Sequence, residues 1–361
     1  MTMTREVEAM NDRGYARLLM QIGKADSIDM LRLLRAQAHV IIESQLAEGD
    51  IVALNDKLNE VHDALIRRTI ALAELQLKAM QVEKPPVSYA YVLFGSGGRK
   101  EQTLGSDQDS GIIYCETDSE SANAQTARYF DSLSRLVVDW LTRLGYPPCE
   151  GAVVSRNPQW RASCSAWEAK LRHWFDEADW ESVRYLLIFA DSRVIYGDQR
   201  LLTNLKRQFA AEVRNNPSII PPMLRNTLRH KVVIGLFGQL LRERYGADSG
   251  SVDIKYGAYI PMVNAIRLMA IQSGVEAAST LERLYALQEM EQISAENAKV
   301  YHRAFAQFLQ LRLEIFGLDD SGAYLNSGKL PVSKLNKAVI SRLKREMKAV
   351  KKLQRAVEGK I

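Results

Sequence analysis

The chain has 361 residues, of which 47% are hydrophobic and 25% are charged, a composition typical of a folded protein with two or three domains. Its three cysteines form no C-x-x-C pair, and no apolar run reaches membrane-spanning length or resembles a signal peptide. These features argue against a disulfide scaffold, a membrane protein and a secreted protein. We therefore expect a cytoplasmic protein that makes no contact with a membrane.

The first part of the chain is predicted to be helical. Residues 1–25 show little pattern, and Asp26 or Ser27 can cap a helix that runs to about Ala47. A second helix is expected at about 51–80. Its apolar residues recur at spacings of three and four, which predicts the seam of a helical hairpin; they are Leu54, Leu58, Val61 and Leu65.

A small α/β segment follows, and the remainder is predicted to be helical. We expect strands at 89–94, 111–115 and 152–155, with a helix at about 121–144. The later helices are expected at about 167–190, 201–213, 222–245, 256–273, 278–290, 294–316 and 334–357. The predicted class is a mostly helical α+β fold, with an N-terminal helical region (1–84), a core with a small mixed sheet (85–160) and a C-terminal helical domain (161–361).

Residues 94–109 carry the strongest functional pattern in the chain. Glycine and serine residues from Gly95 to Gly98 form a turn whose amides can approach a triphosphate without obstruction by a Cβ atom. Asp107 and Asp109 stand two residues apart at the start of the second strand, so both carboxylates face the same side. Carboxylates together with substrate phosphates are the ligands that Mg²⁺ prefers. The combination predicts phosphoryl-transfer chemistry.

The order of strand, G-S-G-G-R-K-E-Q-T-L-G-S-D-Q-D and second strand resembles the polymerase β-type nucleotidyltransferase superfamily. Within it, the sequence is similar to the DUF294 family, whose members are relatives of the uridylyltransferase that modifies the PII protein. Similar blocks occur at 151–160, 189–198 and 253–261. The resemblance implies a nucleotidyltransferase core between a helical hairpin and a helical substrate-binding domain. Many members of the family carry cyclic-nucleotide-binding and CBS domains ahead of this core. Only about eighty residues precede the motif here, so we expect these domains to be absent.

The resemblance implies roles for individual residues. Asp107, Asp109 and Arg99 are the expected catalytic residues, and the two aspartates are the expected metal ligands. Arg99 can neutralise phosphate charge, or instead brace the loop through an ion pair with Glu101 or Asp107. Lys255 lies in the similar block at 253–261, and Arg267 follows it. A structural role for either charge is as compatible with the sequence as contact with a nucleotide. The expected nucleotide contacts are Gly95, Ser96, Gly97, Gly98, Arg99, Ser106, Lys255 and Arg267.

A third carboxylate usually completes the metal site in this superfamily, on the third strand. Here that strand reads G-A-V-V-S-R, and the nearest acid is Glu150 just before it. Glu150 is therefore the candidate third metal ligand, and an exposed loop glutamate is the alternative. The neighbouring Cys149 is expected to be a small buried thiol and not a reactive one.

The expected reaction is Mg²⁺- or Mn²⁺-dependent transfer of a nucleoside monophosphate from an NTP to an acceptor hydroxyl, which the resemblance places on a regulatory protein. The alternatives are a nucleotide-binding regulatory protein with little catalysis, and transfer to a small molecule or to RNA. The net charge is +5, but residues 334–361 alone carry +8. This segment is expected to pack one apolar stripe on the protein, and its basic face leaves binding to a nucleic acid open; the stripe comprises Ile340, Leu343, Met347, Val350 and Val357.

Overall fold

The computed structural model describes residues 14–46, 50–235, 237–246, 248–318, 324–325 and 327–359. It is 64% helical and contains a small mixed sheet of four strands, which confirms the mostly helical α+β class. Two compact units are present, one formed by Met1–Cys164 with Val194–Leu201 and the other by Ser165–Arg193 with Leu202–Ile361. Within the described ranges, no helix is both long enough and apolar enough to span a bilayer.

The first unit contains the predicted helical hairpin. Helix α2 spans Ile28–Gln45, and helix α3 spans Ile51–Ala79. Ser27 caps α2 by accepting a hydrogen bond from the Met30 amide at 3.4 Å, as expected for an N-cap serine. All four residues of the predicted seam are buried, which confirms the hairpin. A further helix, α1, covers residues 14–24, where the sequence showed little pattern; residues 1–13 and 47–49, including the predicted helix end at Ala47, lie outside the described residues.

The four-stranded sheet has the order β3-β2-β1-β4. Its strands are β1 Tyr89–Leu93, β2 Ser110–Tyr114, β3 Arg161–Ser163 and β4 Arg193–Gly197. β1 and β2 are antiparallel, whereas β3 runs parallel to β2. Helix α4, Gly95–Arg99, connects β1 to β2, and helix α5 spans Glu120–Arg143. The apolar core of this unit includes residues of α2, α3, α5 and β1, so it fixes the sheet against the helices.

The third strand lies later in the chain than the sequence predicted. The Ser110 amide donates to the Val153 carbonyl at 3.0 Å, but the chain then turns away from β2. The Asn157 amide donates to the Val154 carbonyl at 2.9 Å, and the Ile112 amide donates to the Trp160 carbonyl at 2.9 Å. The prediction of a strand at 152–155 is therefore wrong, because a tight turn interrupts the pairing before β3 begins.

The second unit is largely helical. Ala178 has a positive φ of 46°, and it divides the predicted helix at 167–190 into α6 and α7. Its helices are α6 Cys164–Glu177, α7 Trp180–Ala190, α8 Gln199–Asn215, α9 Ile220–Thr227, α10 Ile260–Gln272, α11 Thr280–Glu289, α12 Ala295–Glu314 and α13 Lys337–Glu358. Two short antiparallel pairs join β5 Ser251–Asp253 to β8 Lys329–Pro331, and β6 Gly317–Leu318 to β7 Tyr324–Leu325.

The long helix predicted at 222–245 is wrong beyond residue 227. Gly238 adopts a left-handed φ of 76°, a conformation that glycine tolerates and that ends helical winding. The chain folds back here, because Ile234 and Leu240 form an antiparallel bridge and the Leu241 amide donates to the Val233 carbonyl at 3.0 Å. A glycine-centred turn thus replaces the middle of the predicted helix.

The C-terminal basic segment forms helix α13 and packs as predicted. Of its predicted stripe, Leu343, Met347, Val350 and Val357 are buried and Ile340 is half-buried. Helix α13 contacts α10 and α12. Lys348 and other basic residues remain on its exposed side. The apolar stripe fixes the helix to the second unit and leaves a positively charged face in solvent.

Candidate active site

The site begins where β1 ends, at a glycine that lies directly against an aspartate. The Phe94 amide donates to the Asp109 carbonyl at 3.0 Å, which joins the start of α4 to the residue before β2. Gly95 has a positive φ of 51°, and a Cβ atom built on it would lie 2.2 Å from Oδ2 of Asp109. Both the backbone conformation and the close carboxylate therefore require glycine at position 95.

Gln108 orients the two predicted metal ligands. Its side-chain Nε2 donates to the Tyr146 carbonyl at 2.6 Å and to the Val138 carbonyl at 3.1 Å, so its side chain is directed into the protein. Neighbouring residues of an extended segment point to opposite sides. Asp107 and Asp109, which flank Gln108, therefore face together away from the core, in agreement with the sequence-based expectation.

A second extended segment brings a cysteine to these carboxylates. The Gln108 amide donates to the Pro147 carbonyl at 2.8 Å, and the Cys149 amide donates to the Gln108 carbonyl at 3.3 Å. One carboxylate oxygen each from Asp107 and Asp109 and the Sγ atom of Cys149 all lie within 4.8 Å of one another. We call these three half-buried residues the Asp–Asp–Cys cluster.

The cluster fits a divalent cation. Asp107 makes no hydrogen bond or ion pair with a basic residue within the described ranges. A half-buried carboxylate without a cationic partner is poorly compensated, and a bound cation would neutralise it. Oxygen ligands suit Mg²⁺ and Mn²⁺, while a thiolate is a softer ligand. The candidate third ligand Glu150 is exposed and does not belong to the cluster, in which Cys149 is the third member.

Cys149 is held in the thiol form by its surroundings. Burial raises its pKa to about 12, and the negative charges of Asp109 and Asp107 add to this effect. The thiol also shares a hydrogen bond with Asp109, in which the protonated sulfur is the donor. Since only the thiolate is a strong nucleophile, the thiol is unreactive at neutral pH in the absence of a cation.

We expect iodoacetamide to alkylate Cys149 in the metal-free protein at pH 8 at least about 100-fold more slowly than a cysteine in a short unstructured peptide, whose pKa is about 8.5. The double variant Asp107→Asn/Asp109→Asn removes both repulsive charges, so its rate should rise about tenfold or more. Peptide mass spectrometry of Cys149 measures both rates. An unchanged rate in the double variant would show that the carboxylates do not control the thiol.

The predicted phosphate-binding turn is one turn of helix. Within α4 the Gly98 amide donates to the Phe94 carbonyl at 2.7 Å, so this amide already has a hydrogen-bond acceptor within the protein. The left-handed Lys100, with φ of 57°, ends the helix. The Ser96 hydroxyl is half-buried and has no side-chain hydrogen bond to a described residue. Ser96 is therefore better placed than Gly98 to donate to a phosphate.

Two other predicted nucleotide contacts brace the loop after α4. Nε of Arg99 donates to Oε2 of Glu101 at 2.7 Å, and the two side chains are only 6% and 4% exposed. The Ser106 hydroxyl accepts a hydrogen bond from the Thr103 amide at 2.8 Å. The ion pair that the sequence left open thus forms with Glu101, and contact of Arg99 or Ser106 with a nucleotide stays a prediction.

Helix α3 contributes positioning residues that the sequence reasoning missed. Nδ2 of Asn55 donates to the Gln102 carbonyl at 2.8 Å, and Oδ1 of Asn59 accepts from the Gln102 amide at 3.0 Å. Both asparagines are buried. Two amide side chains spaced four residues apart beside an apolar seam were the available signal, since buried amides require hydrogen-bond partners.

The predicted C-terminal contacts lie in the second compact unit. Arg267 is buried, and its guanidinium donates to Oδ2 of Asp191 at 2.8 Å and to Oδ1 of Asn264 at 2.8 Å. Lys255 is half-buried in a π-helical turn, with its amino nitrogen 5.1 Å from the centre of the Tyr256 ring. Arg267 thus has an internal structural role, and contact of either residue with a nucleotide stays a prediction.

Gly95→Ala is expected to reduce nucleotidyl transfer at least about 100-fold, because its Cβ would displace the Asp109 carboxylate and misplaced catalytic groups lose about this factor. The positive φ at Gly95 adds an unfolding cost of about 1 kcal/mol. Gly23→Ala is the control, since Gly23 is an exposed residue of α1 outside the glycine-rich turn and its Cβ would meet no described atom within 4 Å. Rates of labelled-nucleotide transfer and melting temperatures test both variants; equal losses would contradict the steric argument.

The α+β fold, the helical turn after β1 and the paired aspartates before β2 are the features through which the sequence resembles a nucleotidyltransferase core. Residues 35–181 match the family model described as "Putative nucleotidyltransferase DUF294". Residues 218–361 match the model described as "Putative nucleotidyltransferase substrate binding domain". The chain belongs to the DUF294 nucleotidyltransferase family, and its Asp–Asp–Cys cluster falls inside the first match. A comparison with curated proteins finds no match.

Proposed function

We propose that this protein is a divalent-cation-dependent nucleotidyltransferase that transfers a nucleoside monophosphate from an NTP to an acceptor hydroxyl. The observation that carries the proposal is the pairing of Asp107 and Asp109, which face one side of the chain with Asp109 directly against Gly95. This arrangement offers carboxylates for a cation beside a short glycine-rich helix for phosphates. Membership of the DUF294 family supports the same reaction.

In the proposed reaction the acceptor oxygen attacks the α-phosphorus, the bond from that phosphorus to the bridging β-oxygen breaks, and pyrophosphate leaves. The hydroxyl proton passes to solvent. Mg²⁺ or Mn²⁺ held by Asp107 and Asp109 would neutralise phosphate charge and favour attack at phosphorus. Ser96 and the amides at the start of α4 would orient the β- and γ-phosphates. Arg99, braced by Glu101, would add positive charge beside them.

We propose that the acceptor is a hydroxyl of a regulatory protein and that the reaction takes place in the cytoplasm. The support is the resemblance of the motif at 95–109 to relatives of the PII uridylyltransferase. Uridylyl and adenylyl transfer would use the same phosphate and metal contacts, because the base lies outside these groups.

The test is transfer of ³²P from each of the four α-labelled NTPs, with Mg²⁺ or Mn²⁺, into the protein itself and into a cytosolic lysate. We expect one NTP to give a labelled protein band together with release of pyrophosphate. Label in a small molecule or in RNA would retain the transferase and replace the acceptor. Nucleotide binding without label or pyrophosphate in any of these reactions would contradict the proposal.

A second candidate is a nucleotide-binding regulatory protein with little catalysis. The observation that favours it is the presence of Cys149 in the cluster where a third carboxylate would be expected. A protonated thiol contributes no negative charge to a second cation, so a two-metal arrangement would be weaker. This candidate predicts that an NTP binds to the protein and stabilises it against unfolding but is never cleaved.

A further inference from the structure

The second compact unit contains a cavity of about 360 Å³, which is the size of a small-ligand site. Residues of α7, α8, α9, α10 and α11 line it. Most of its wall is apolar, and the large apolar side chains in it are Phe189, Phe209, Val213, Ile220, Ile271 and Val275. Such a wall would bind the hydrocarbon portion of a ligand by removing it from water.

One amine enters this cavity without a carboxylate partner. Lys206 of α8 is half-buried, and its Nζ donates only to the backbone carbonyl of Glu276, at 3.2 Å, among the described residues. Burial and the nearby Arg283 lower the pKa of Lys206 to about 8. An ammonium group in such surroundings is incompletely solvated, and Lys206 forms no direct ion pair with a carboxylate of the described residues.

The nearby buried carboxylate does not provide that counter-charge. Asp191, only 1% exposed, binds Arg267 at 2.8 Å and Arg283 at 2.6 Å, so two guanidinium groups share one negative charge. The remaining guanidinium contacts of Arg283 are hydrogen bonds to the carbonyls of Ala277 and Ala190, both at 2.8 Å. This cluster is net positive beside Lys206, and each nitrogen of the Arg283 guanidinium already donates one hydrogen bond within the protein.

The other charged groups near Lys206 are exposed. Arg214 and Glu276 line it, and both are solvent-exposed, so water screens their charges. Glu282 is likewise exposed. The half-buried Lys206 is therefore the group whose charge a ligand would neutralise most effectively.

We propose that this cavity binds a small apolar molecule with a single carboxylate, which pairs with Lys206 while the apolar portion contacts the aromatic and aliphatic wall. One half-buried cation matches one negative charge, whereas a phosphate dianion would require more donors than Lys206 supplies. This inference goes beyond the proposed transfer reaction, and its test requires neither an NTP nor a metal.

The probes are phenylacetate, 4-phenylbutanoate, indole-3-acetate and octanoate, each compared with its neutral amide by isothermal titration calorimetry on the full chain at pH 7. We expect at least one carboxylate to bind about 10- to 100-fold more tightly than its amide, as for a hydrogen bond to a charged group. Failure of all four carboxylates to bind, or equal affinities for carboxylate and amide, would overturn the proposal.

Three variants locate the binding. Lys206→Met keeps the length of the side chain and should lose the preference for the carboxylate. Ala210→Phe should fill the cavity, which Ala210 lines, and abolish binding of both members of a pair. Arg207→Gln changes an exposed cation on the same helix and should bind like wild type. Wild-type affinity in Lys206→Met would overturn the proposal.

A pH series adds a second readout. Because Lys206 loses its proton near pH 8, affinity for the carboxylate should fall roughly tenfold between pH 7 and pH 9. The charged groups that line the cavity or lie near Lys206 are Arg214 on α8, Arg283 and Glu282 on α11, Asp191 after α7 and Glu276 before α11. Lys206→Met should show no such dependence. The variant Asp107→Asn should retain probe binding, which separates this site from the proposed catalysis.

Discussion

Asp107→Asn is expected to reduce nucleotidyl transfer at least about 1,000-fold, equivalent to about 4 kcal/mol of transition-state stabilisation. The substitution preserves the size of the side chain and removes its charge. Asp107 is half-buried and lies with Asp109 and Cys149 in one cluster, so its replacement leaves a single carboxylate to hold a cation. Initial rates of transfer from an α-labelled NTP at saturating Mg²⁺ measure the effect, and Asp109→Asn should behave similarly.

The control for this prediction is Asp118→Asn, which makes the same chemical change at an exposed residue after β2. It should transfer at the wild-type rate. The melting temperature of metal-free Asp107→Asn should be equal to or higher than that of the wild type, because the change relieves repulsion between neighbouring carboxylates. Transfer within tenfold of the wild-type rate would show that Asp107 does not bind the catalytic cation.

The parts of this site that the sequence predicted depend on short spacings. Asp107 and Asp109 are separated by one residue in an extended segment, so their common orientation follows from strand geometry alone. The glycine-rich segment beside them was likewise readable, because only glycine combines a positive φ with close approach of another group. The sequence did not predict that this segment forms one turn of helix, because a tight loop and a single helical turn can have the same composition.

The parts that the sequence did not predict depend on contacts between distant segments. Cys149 reaches the aspartates because residues 147–149 run beside Gln108, and no local pattern marks this pairing. Strand β3 contains only three residues and pairs with β2 after an intervening turn. The apolar run at 152–155 was therefore a stronger local signal for a strand than β3 itself. Tertiary pairing decides such short strands.

The helical predictions follow the same rule. The hairpin of α2 and α3 was predictable from a cap and a continuous apolar stripe. The helix predicted at 222–245 is not continuous, because the left-handed Gly238 and the bridge between Ile234 and Leu240 fold the chain back. Two glycines three residues apart, Gly235 and Gly238, were the warning in the sequence.

Asp191→Ala is expected to destabilise the protein by about 3–5 kcal/mol, the usual consequence of removing one partner from a buried ion pair. Asp191 is 1% exposed and binds two arginines, Arg283 at 2.6 Å and Arg267 at 2.8 Å. Its removal leaves two guanidinium groups in a poorly hydrated environment without a counter-charge. Urea unfolding followed by tryptophan fluorescence measures the loss.

The matched control is Asp139→Ala, which breaks a pair with Arg156 in which the two side chains are 69% and 46% exposed, so its cost should be no more than about 1 kcal/mol. Asp191→Asn should be less destabilising than Asp191→Ala, because an amide oxygen still accepts a hydrogen bond from one guanidinium group. A loss below about 1 kcal/mol for Asp191→Ala would mean that water or a rearranged carboxylate solvates Arg267 and Arg283. In that case the positive charge beside the Lys206 cavity would be screened, and the preference of that cavity for a carboxylate would weaken with it.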